Sequence, residues 1–525
     1  MVLPEYKRQF IAFLLEKGIM QVFSDRTKDR KLKSGRLSPW FVNIGDCNNG
    51  PASDNLANAY ADAIINSGIE VDNLYGIPDK GVSLATPIAV AMARKGKSVG
   101  WCFSRKDEKT HGEATGLPPT ERLKKLIVGM LPQEGQRIGQ LDDVFTTGDA
   151  KYEARTFLES LGNFQYPLLA IGVDRQEVAP DGKSAIEEYE TKTRTKVVSI
   201  VNATEIYQHL KENSTTLPEI QSKKQELIEK RSRLENSVAD LADLDMEIAR
   251  LDILESAFNP GSISRLANYL RVYGTEAARR SIVGIEGKLD QKIVRTDRSV
   301  IPACDVETLE KLDEIVTSTA DIDEIGGYKV GFELGYGYGL SNVVRTIRNH
   351  SDKPIIMDHQ KAGTDIPATG LNFARVCKKS GVDTVIIFPQ AGPETERSWI
   401  YHALDHGLNV IVGGRMTHPA YAVSEGGFIT DEGALEMYRI AARIGITNFV
   451  APGNKPEVIQ QVRKVIEAEG INPIFYGPGL GIGQGGDTAK AREAAGSKFN
   501  AIVGTGIYTA ADMKDAALNH VKQLL

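Results

Sequence analysis

Two carboxylates and an ammonium, Asp358, Lys361 and Asp365, fall within eight residues directly after the apolar run Pro354-Ile355-Ile356-Met357. Buried charge is costly unless it is paired. This density of charge at a strand end therefore points to a site rather than to packing. The same residues could equally form a solvated loop, so the rest of the chain must supply a site around them. Asp305 follows an apolar run at 300–304, and Lys329 stands inside another at 328–332. Thr417 follows the run 409–412, beside Arg415. Two glycine-rich stretches come later, 477–487 with Gln484, Gly485 and Gly486, and Gly504-Thr505-Gly506. Exposed backbone N–H groups in such loops suit a phosphate.

The first half carries a different set. Asp142 and Asp143 end an apolar run, and Thr146-Thr147-Gly148 turns into a helical pattern. Hydroxyls and N–H groups at a helix start cradle phosphate, and paired acids suit ribose hydroxyls or Mg²⁺. Lys80 lies at another strand-to-helix turn, where it suits a pyrophosphate or a carboxylate. The polar, charged segment 103–116, with Arg105, Lys106, Lys109 and His111, has the composition of a loop that closes over an anion.

The elements that position these residues follow from the apolar pattern. Runs at 74–77, 98–103, 138–144, 168–173 and 197–201 alternate with helical periodicity, which predicts a parallel sheet with ligands beyond its carboxyl ends. Between 214 and 262 glycine becomes scarce and charge rises. Leu227, Leu234, Leu241 and Ile248 recur every seven residues, with Leu244 and Leu251 joining the stripe. This segment reads as one or two amphipathic helices with a structural role. From 263 onward eight short apolar runs, each followed by a helical pattern, predict a TIM barrel. The expected division is 1–213, a charged helical linker 214–262, and a barrel 263–525.

Bulk composition limits the function classes. The chain has 525 residues, 41% hydrophobic and 25% charged, with a formal net charge of −6. That leaves no basic footprint for nucleic acid. Four separated cysteines without a C-x-x-C pair argue against a disulfide framework or a zinc ribbon. No apolar run approaches a membrane span, and the first residues lack a signal-peptide core. The expectation is a cytoplasmic protein without a membrane or nucleic-acid partner.

With these motifs in place, the first ~213 residues resemble the orotate phosphoribosyltransferases. The match rests on 142–148, Lys33-Ser34-Gly35-Arg36, Ser38-Pro39-Trp40-Phe41, the loop from Arg105 to Glu113, and Val173-Asp174-Arg175-Gln176-Glu177. The resemblance implies that Lys33 and Arg175 hold orotate. It assigns Lys80, Arg105, Lys106, Lys109 and His111 to the pyrophosphate of phosphoribosyl pyrophosphate, with Mg²⁺ carried on that substrate and possible help from Asp142 and Asp143. In that family Lys109 reaches a partner's site, which implies a homodimer or higher homo-oligomer. Asp149 departs from the small residue common there; either Lys151 offsets it or it points outward as a helix-start acid.

The second half resembles the orotidine 5′-monophosphate decarboxylases. This implies that Asp305, Lys329, Asp358, Lys361 and Asp365 surround the pyrimidine and ribose, with Lys361 as proton donor and no cofactor. Asp365 would cross to a partner's site, Thr369 would line the ribose, and Thr417 would stand where the family has a serine. Gln484, Gly485 and Gly486 match the phosphate loop, completed by Gly504 and Thr505. Two departures stand out. The family spacing is Asp-x-Lys-x-x-Asp, here stretched between Asp358, Lys361 and Asp365. Thr505 also replaces a phosphate-binding arginine, for which Arg415 is a candidate substitute. Together the halves imply a bifunctional α/β enzyme that forms orotidylate and decarboxylates it to uridylate. Two other readings of the barrel stay open: a Mg²⁺-dependent sugar-phosphate decarboxylase or synthase, and a non-catalytic module.

Overall fold

The computed structural model describes residues 3–105, 119–145, 148–233, 238–287, 289, 292–359, 363–481 and 485–524. The chain divides into two compact units, Met1–Ile285 and Glu286–Leu525.

The first unit is built on a six-stranded sheet. Its strands are β1 (Asn73–Gly76), β2 (Gly100–Ser104), β3 (Ile127–Gly129), β4 (Arg137–Leu141), β5 (Gln165–Asp174) and β6 (Lys196–Asn202). The order is β6-β5-β4-β1-β2-β3, parallel except for the antiparallel edge strand β3. Five of the six lie on the apolar runs. The sixth, β3, has only a three-residue signature after a charged segment, too short for periodicity to reveal.

The helices form where caps and apolar spacing agree. Helix α1 (Gly50–Asn66) starts where the Asn49 side chain accepts from Ala52 N, with Pro51 in its first turn. It buries Leu56, Tyr60 and Ile64, one helical turn apart. Helix α2 (Val82–Arg94) follows the turn at Lys80, and α3 (Asp149–Glu159) follows Gly148. Helix α4 (Ala203–Glu212) opens with a capping box between Asn202 and Glu205.

The charged segment folds as two helices, α5 (Leu217–Arg233) and α6 (Val238–Phe258). They are laced by Lys224 to Glu255 (2.7 Å), Lys223 to Glu247 (3.0 Å) and an Arg231–Asp245 pair. Leu244 and Leu251 are buried. Helix α6 packs on the chain's first helix (Glu5–Glu16), and α7 (Pro260–Tyr273) packs on α4. Arg265 of α7 reaches Asp29 at 2.6 Å, and Arg36 stacks on the Tyr273 ring. These contacts hold 214–285 to the first unit. The second unit therefore opens at Glu286, later than the apolar pattern suggests.

The second unit is a closed barrel of eight parallel strands. They are β7 (Arg298–Cys304), β8 (Tyr328–Val330), β9 (Ile355–Met357), β10 (Thr384–Ile387), β11 (Asn409–Gly413), β12 (Asn448–Val450), β13 (Ile474–Gly477) and β14 (Phe499–Val503). Each falls on one of the eight predicted runs. Strand β14 closes the barrel on β7, from Arg298 opposite Phe499 to Pro302 opposite Val503. Ile301, Ile356, Ile386, Ile411, Val450, Tyr476 and Ile502 fill its interior. The four cysteines are free and buried. Among the described residues no helix is long and apolar enough to cross a membrane.

Candidate active sites

In the first unit the charged residues gather at the carboxyl ends of the strands, as parallel-sheet geometry dictates. Asp142 and Asp143 follow β4, and both are buried. Asp143 pairs with Lys80 across 2.7 Å, so the ends of β4 and β1 are joined. Lys80 stays half exposed on the other side. Asp142 pairs with Lys151, which also donates to Val144 O at 2.8 Å. Lys151 thus lies under the turn leading into α3, and only 5% of it is exposed. Lys151 pairs with Asp142, and Asp149 is exposed in the first turn of α3, the outward-facing helix-start acid that the sequence allows. Burial pushes the Asp142 carboxyl up from the ordinary range, against the pull of Lys151. Gly148 has φ +90°, the left-handed conformation glycine adopts without strain, and it starts α3. A Cβ on Gly81 would sit 2.2 Å from Leu141 O, so the Lys80 turn approaches β4 as closely as it does only because that residue is glycine.

Arg175 follows β5. Its Nε donates to Glu177 (2.8 Å), its Nη2 donates to Ser38 Oγ (3.0 Å), and the guanidinium lies 4.0 Å from the Trp40 ring centroid. This brings the Ser38-Pro39-Trp40-Phe41 motif onto the Arg175 motif. Lys33 is exposed in the turn before Leu37–Ser38, and Arg105 is exposed at the end of β2. A cavity of about 460 Å³ adjoins Lys80 and Asp143, with Asp79, Asn48 and Ser83 at its polar side. Lys106, Lys109, His111, Thr146 and Thr147 lie outside the described residues. Asp142 and Asp143 are thus each engaged by a lysine, Lys151 and Lys80.

In the barrel, the carboxyl ends of β7, β8 and β9 converge. Lys329, pointing inward from β8, lies 3.1 Å from Asp305 Oδ2 and 3.0 Å from Asp358 Oδ2. It is only 4% exposed. Burial alone would lower its pKa, but the two carboxylates outweigh burial and hold it above its ordinary value. Asp358 N donates to Val330 O at 2.9 Å, so β9 keeps its ladder up to the aspartate. The next residue is pinned as well: His359 Nε2 meets Tyr336 OH at 2.5 Å, and the imidazole packs edgewise between Tyr336 and Phe373. The sequence reading missed this pair. Its only signal was the aromatic Gly335-Tyr336-Gly337-Tyr338-Gly339 stretch, which lacks chemistry of its own.

Asp365 is exposed and is not joined to the Asp305–Lys329–Asp358 cluster among the described residues. Its side chain accepts from Ile366 N, and its carbonyl accepts from Thr395 Oγ1. Thr369 begins the helix Thr369–Lys379, its hydroxyl donating to Ile366 O. Thr417 and the β13 loop are neighbours, since a Cβ on Gly479 would touch Thr417 Cγ2 at 2.9 Å. Gly485 and Gly486 close that loop on Gly481 through backbone bonds of 3.2 Å. Gly504 and Thr505 start the single-turn helix Thr505–Tyr508 after β14. Arg415 is not available as a phosphate ligand: its buried guanidinium pairs with Asp431 (2.7 Å) and Glu425 (3.4 Å). Lys361 and Gln484 lie outside the described residues.

Comparison with known proteins matches both halves. The model of the orotidine 5′-phosphate decarboxylase / HUMPS family matches residues 298–519. An orotate phosphoribosyltransferase of Pseudomonas fluorescens is 37% identical over 206 residues, 39% of this chain and 88% of the relative. One of Klebsiella pneumoniae is 39% identical over 208 residues, 39% of this chain and 89% of the relative. A solved orotidine 5′-monophosphate decarboxylase of Methanocaldococcus jannaschii, complexed with the inhibitor BMP, aligns with a TM-score of 0.38 and 24% identity over 43% of this chain and 98% of that one. The paired acids, Lys80 and Arg175 thus stand in a sequence that runs almost the full length of those transferases, and the Asp305–Lys329–Asp358 cluster stands inside the decarboxylase match: the chain belongs to the orotate phosphoribosyltransferase family through its first unit and carries an orotidine 5′-phosphate decarboxylase / HUMPS domain as its barrel.

Proposed function

We propose that the chain is a bifunctional enzyme of pyrimidine synthesis, transferring phosphoribosyl from its pyrophosphate to orotate and decarboxylating the resulting orotidylate to uridylate. The observation that carries this is the pairing itself: two units with independent residue sets match consecutive reactions, and the product of the first is the substrate of the second.

In the first unit, Arg175 on the Trp40 face binds the planar orotate carboxylate with Lys33, since a guanidinium on an aromatic face keeps its fork geometry. Asp143 and Asp142 accept from the ribose hydroxyls at the end of β4. Lys80, with Arg105, Lys106, Lys109 and His111, neutralises the departing pyrophosphate. Thr146, Thr147 and Gly148 cradle the 5′-phosphate at the start of α3. Mg²⁺, when bound with the diphosphate substrate near Asp142 and Asp143, would add to the neutralisation of the leaving group.

In the barrel, Asp358 stands beside the carboxylate to be lost, and Lys329 fixes both Asp358 and Asp305. Lys361 stabilises the carbanion at C6 and delivers the proton, while Asp365 orients it from a partner subunit. Thr417 contacts the pyrimidine and Thr369 the ribose. Gln484, Gly485, Gly486, Gly504 and Thr505 receive the phosphate largely through backbone groups. The Mg²⁺-dependent sugar-phosphate reading is not favoured, because Asp305 and Asp358 bracket a buried ammonium where a divalent ion would need them open.

The test supplies orotate, phosphoribosyl pyrophosphate and Mg²⁺ and follows both nucleotides over time. Orotidylate should appear first and uridylate after it. A Lys361→Ala enzyme should accumulate orotidylate without uridylate, and unchanged uridylate formation in that variant would remove Lys361 from the mechanism.

A further inference from the structure

The chain directly after Arg175 is held from outside the sheet. Gln176 has φ +52°, a left-handed conformation that a residue other than glycine keeps only where its surroundings enforce it. Two elements enforce it here. The Gln176 side-chain Oε1 accepts from Thr204 N and Thr204 Oγ1 of α4, each at 2.9 Å. Its carbonyl accepts at 2.7 Å from Thr275 N, two residues beyond the end of α7.

The end of α7 grips the next two residues as well. Glu177 pairs with Gly274 in an antiparallel bridge, and Val178 N donates to Tyr273 O at 2.9 Å. Glu177 in turn accepts from Arg175 Nε at 2.8 Å. Val178 O accepts from Arg36 Nη1 at 2.5 Å, and that guanidinium lies 4.6 Å from the Tyr273 ring centroid. Tyr269, fully buried one helical turn before Tyr273, lies beside Arg175, Glu177 and Arg36.

Arg175 therefore leaves a strand of the sheet, but the backbone that follows it is fixed by residues some hundred positions later, in the charged helical segment. We infer that the end of α7 is a working part of the orotate site, with Tyr273 and Thr275 as positioning residues that set the angle of the Arg175 guanidinium. This rests on the reading that Arg175 binds orotate. It turns the segment after the sheet from a spacer into a component of the transferase. Neither residue touches substrate: Thr275 acts through Gln176, and Tyr273 acts through Val178 and Arg36.

The test is steady-state kinetics of orotidylate formation by the full chain, with KM for orotate and KM for phosphoribosyl pyrophosphate measured separately. Tyr273→Leu removes the ring under Arg36. Thr275→Pro removes the N–H that holds Gln176 O, and the extended Gly274 before it (φ −70°, ψ 156°) tolerates proline. Both variants should raise KM for orotate about tenfold, within the scale of a misplaced binding group, and leave KM for phosphoribosyl pyrophosphate unchanged. Tyr273→Phe, which keeps the aromatic face, should behave as wild type. Decarboxylation of supplied orotidylate should be equal in all of them. A fall in kcat with both KM values at wild type, or no change at all, would overturn the inference while Arg175→Ala still raised KM for orotate. Should Arg175→Ala leave that KM unchanged, the orotate reading of Arg175 fails and the inference with it.

Discussion

Lys329 Nζ lies 3.0 Å from Asp358 Oδ2 while the same ammonium holds Asp305, so one buried lysine fixes the acids that end β7 and β9. Replacing it by methionine keeps the length and removes the charge. Asp305 and Asp358 then lose the ammonium that pairs with both of them. Lys329→Met should lower decarboxylation by about 10²–10³-fold, the usual scale for losing a preorganised charge. Orotidylate formation should persist, which an assay resolving the two nucleotides will show.

Lys151 does the corresponding work in the first unit. Burial already pushes the Asp142 carboxyl up, and Lys151 is the principal opposing influence. In Lys151→Met the carboxyl should protonate nearer neutrality. The acidic limb of the pH profile for orotidylate formation should then move to higher pH, with a loss on the order of tenfold at pH 7 that recovers as pH rises. Lys151→Arg, which keeps the charge, should recover most of the activity. A profile that keeps its shape in Lys151→Met would make the lysine merely structural.

Asp174, at the end of β5, gives a stability prediction. Burial raises its carboxyl from 3.8 to about 6, against the hydrogen bond from Gln176 N. The folded chain therefore holds this proton more tightly than the unfolded chain. Its contribution is fully present below about pH 4 and is lost as pH rises to about 6, a step of roughly 3 kcal/mol at most. Denaturant unfolding of Asp174→Asn should lack that downward step relative to wild type. Parallel pH curves would remove Asp174 as its source.

Arg415→Ala separates packing from phosphate binding. Since Asp431 and Glu425 occupy the guanidinium, the KM for orotidylate should be unchanged while Tm falls by several degrees. A KM raised tenfold with Tm intact would reinstate Arg415 at the phosphate.

Much of this was legible in the chain because the two periodicities are clean. The eight barrel runs and five of the six sheet runs are short and apolar, and they fix where Asp142, Asp305, Lys329 and Asp358 stand. Pairings across sequence were not legible. Nothing local says that Lys151 turns back to Asp142, that Arg415 is consumed by Asp431, or that Tyr336 meets His359. Each depends on how separated elements pack. The helical segment shows the same limit from the other side: its heptad stripe revealed helices, but Arg265 on Asp29 and Tyr273 under Arg36 decide which unit they join.

The closure of β14 on β7 has a consequence for synthesis on the ribosome. The last strand of the first sheet is complete at Asn202, so that unit can begin to fold while the barrel is still unmade. The barrel must wait for Val503, because Pro302 finds its ladder partner there, some two hundred residues downstream. Until then β7 presents an unpaired edge of buried, apolar character, the kind that recruits chaperones or mispairs. The emerging chain should thus acquire its transferase activity before its decarboxylase activity, in the order in which the two reactions run.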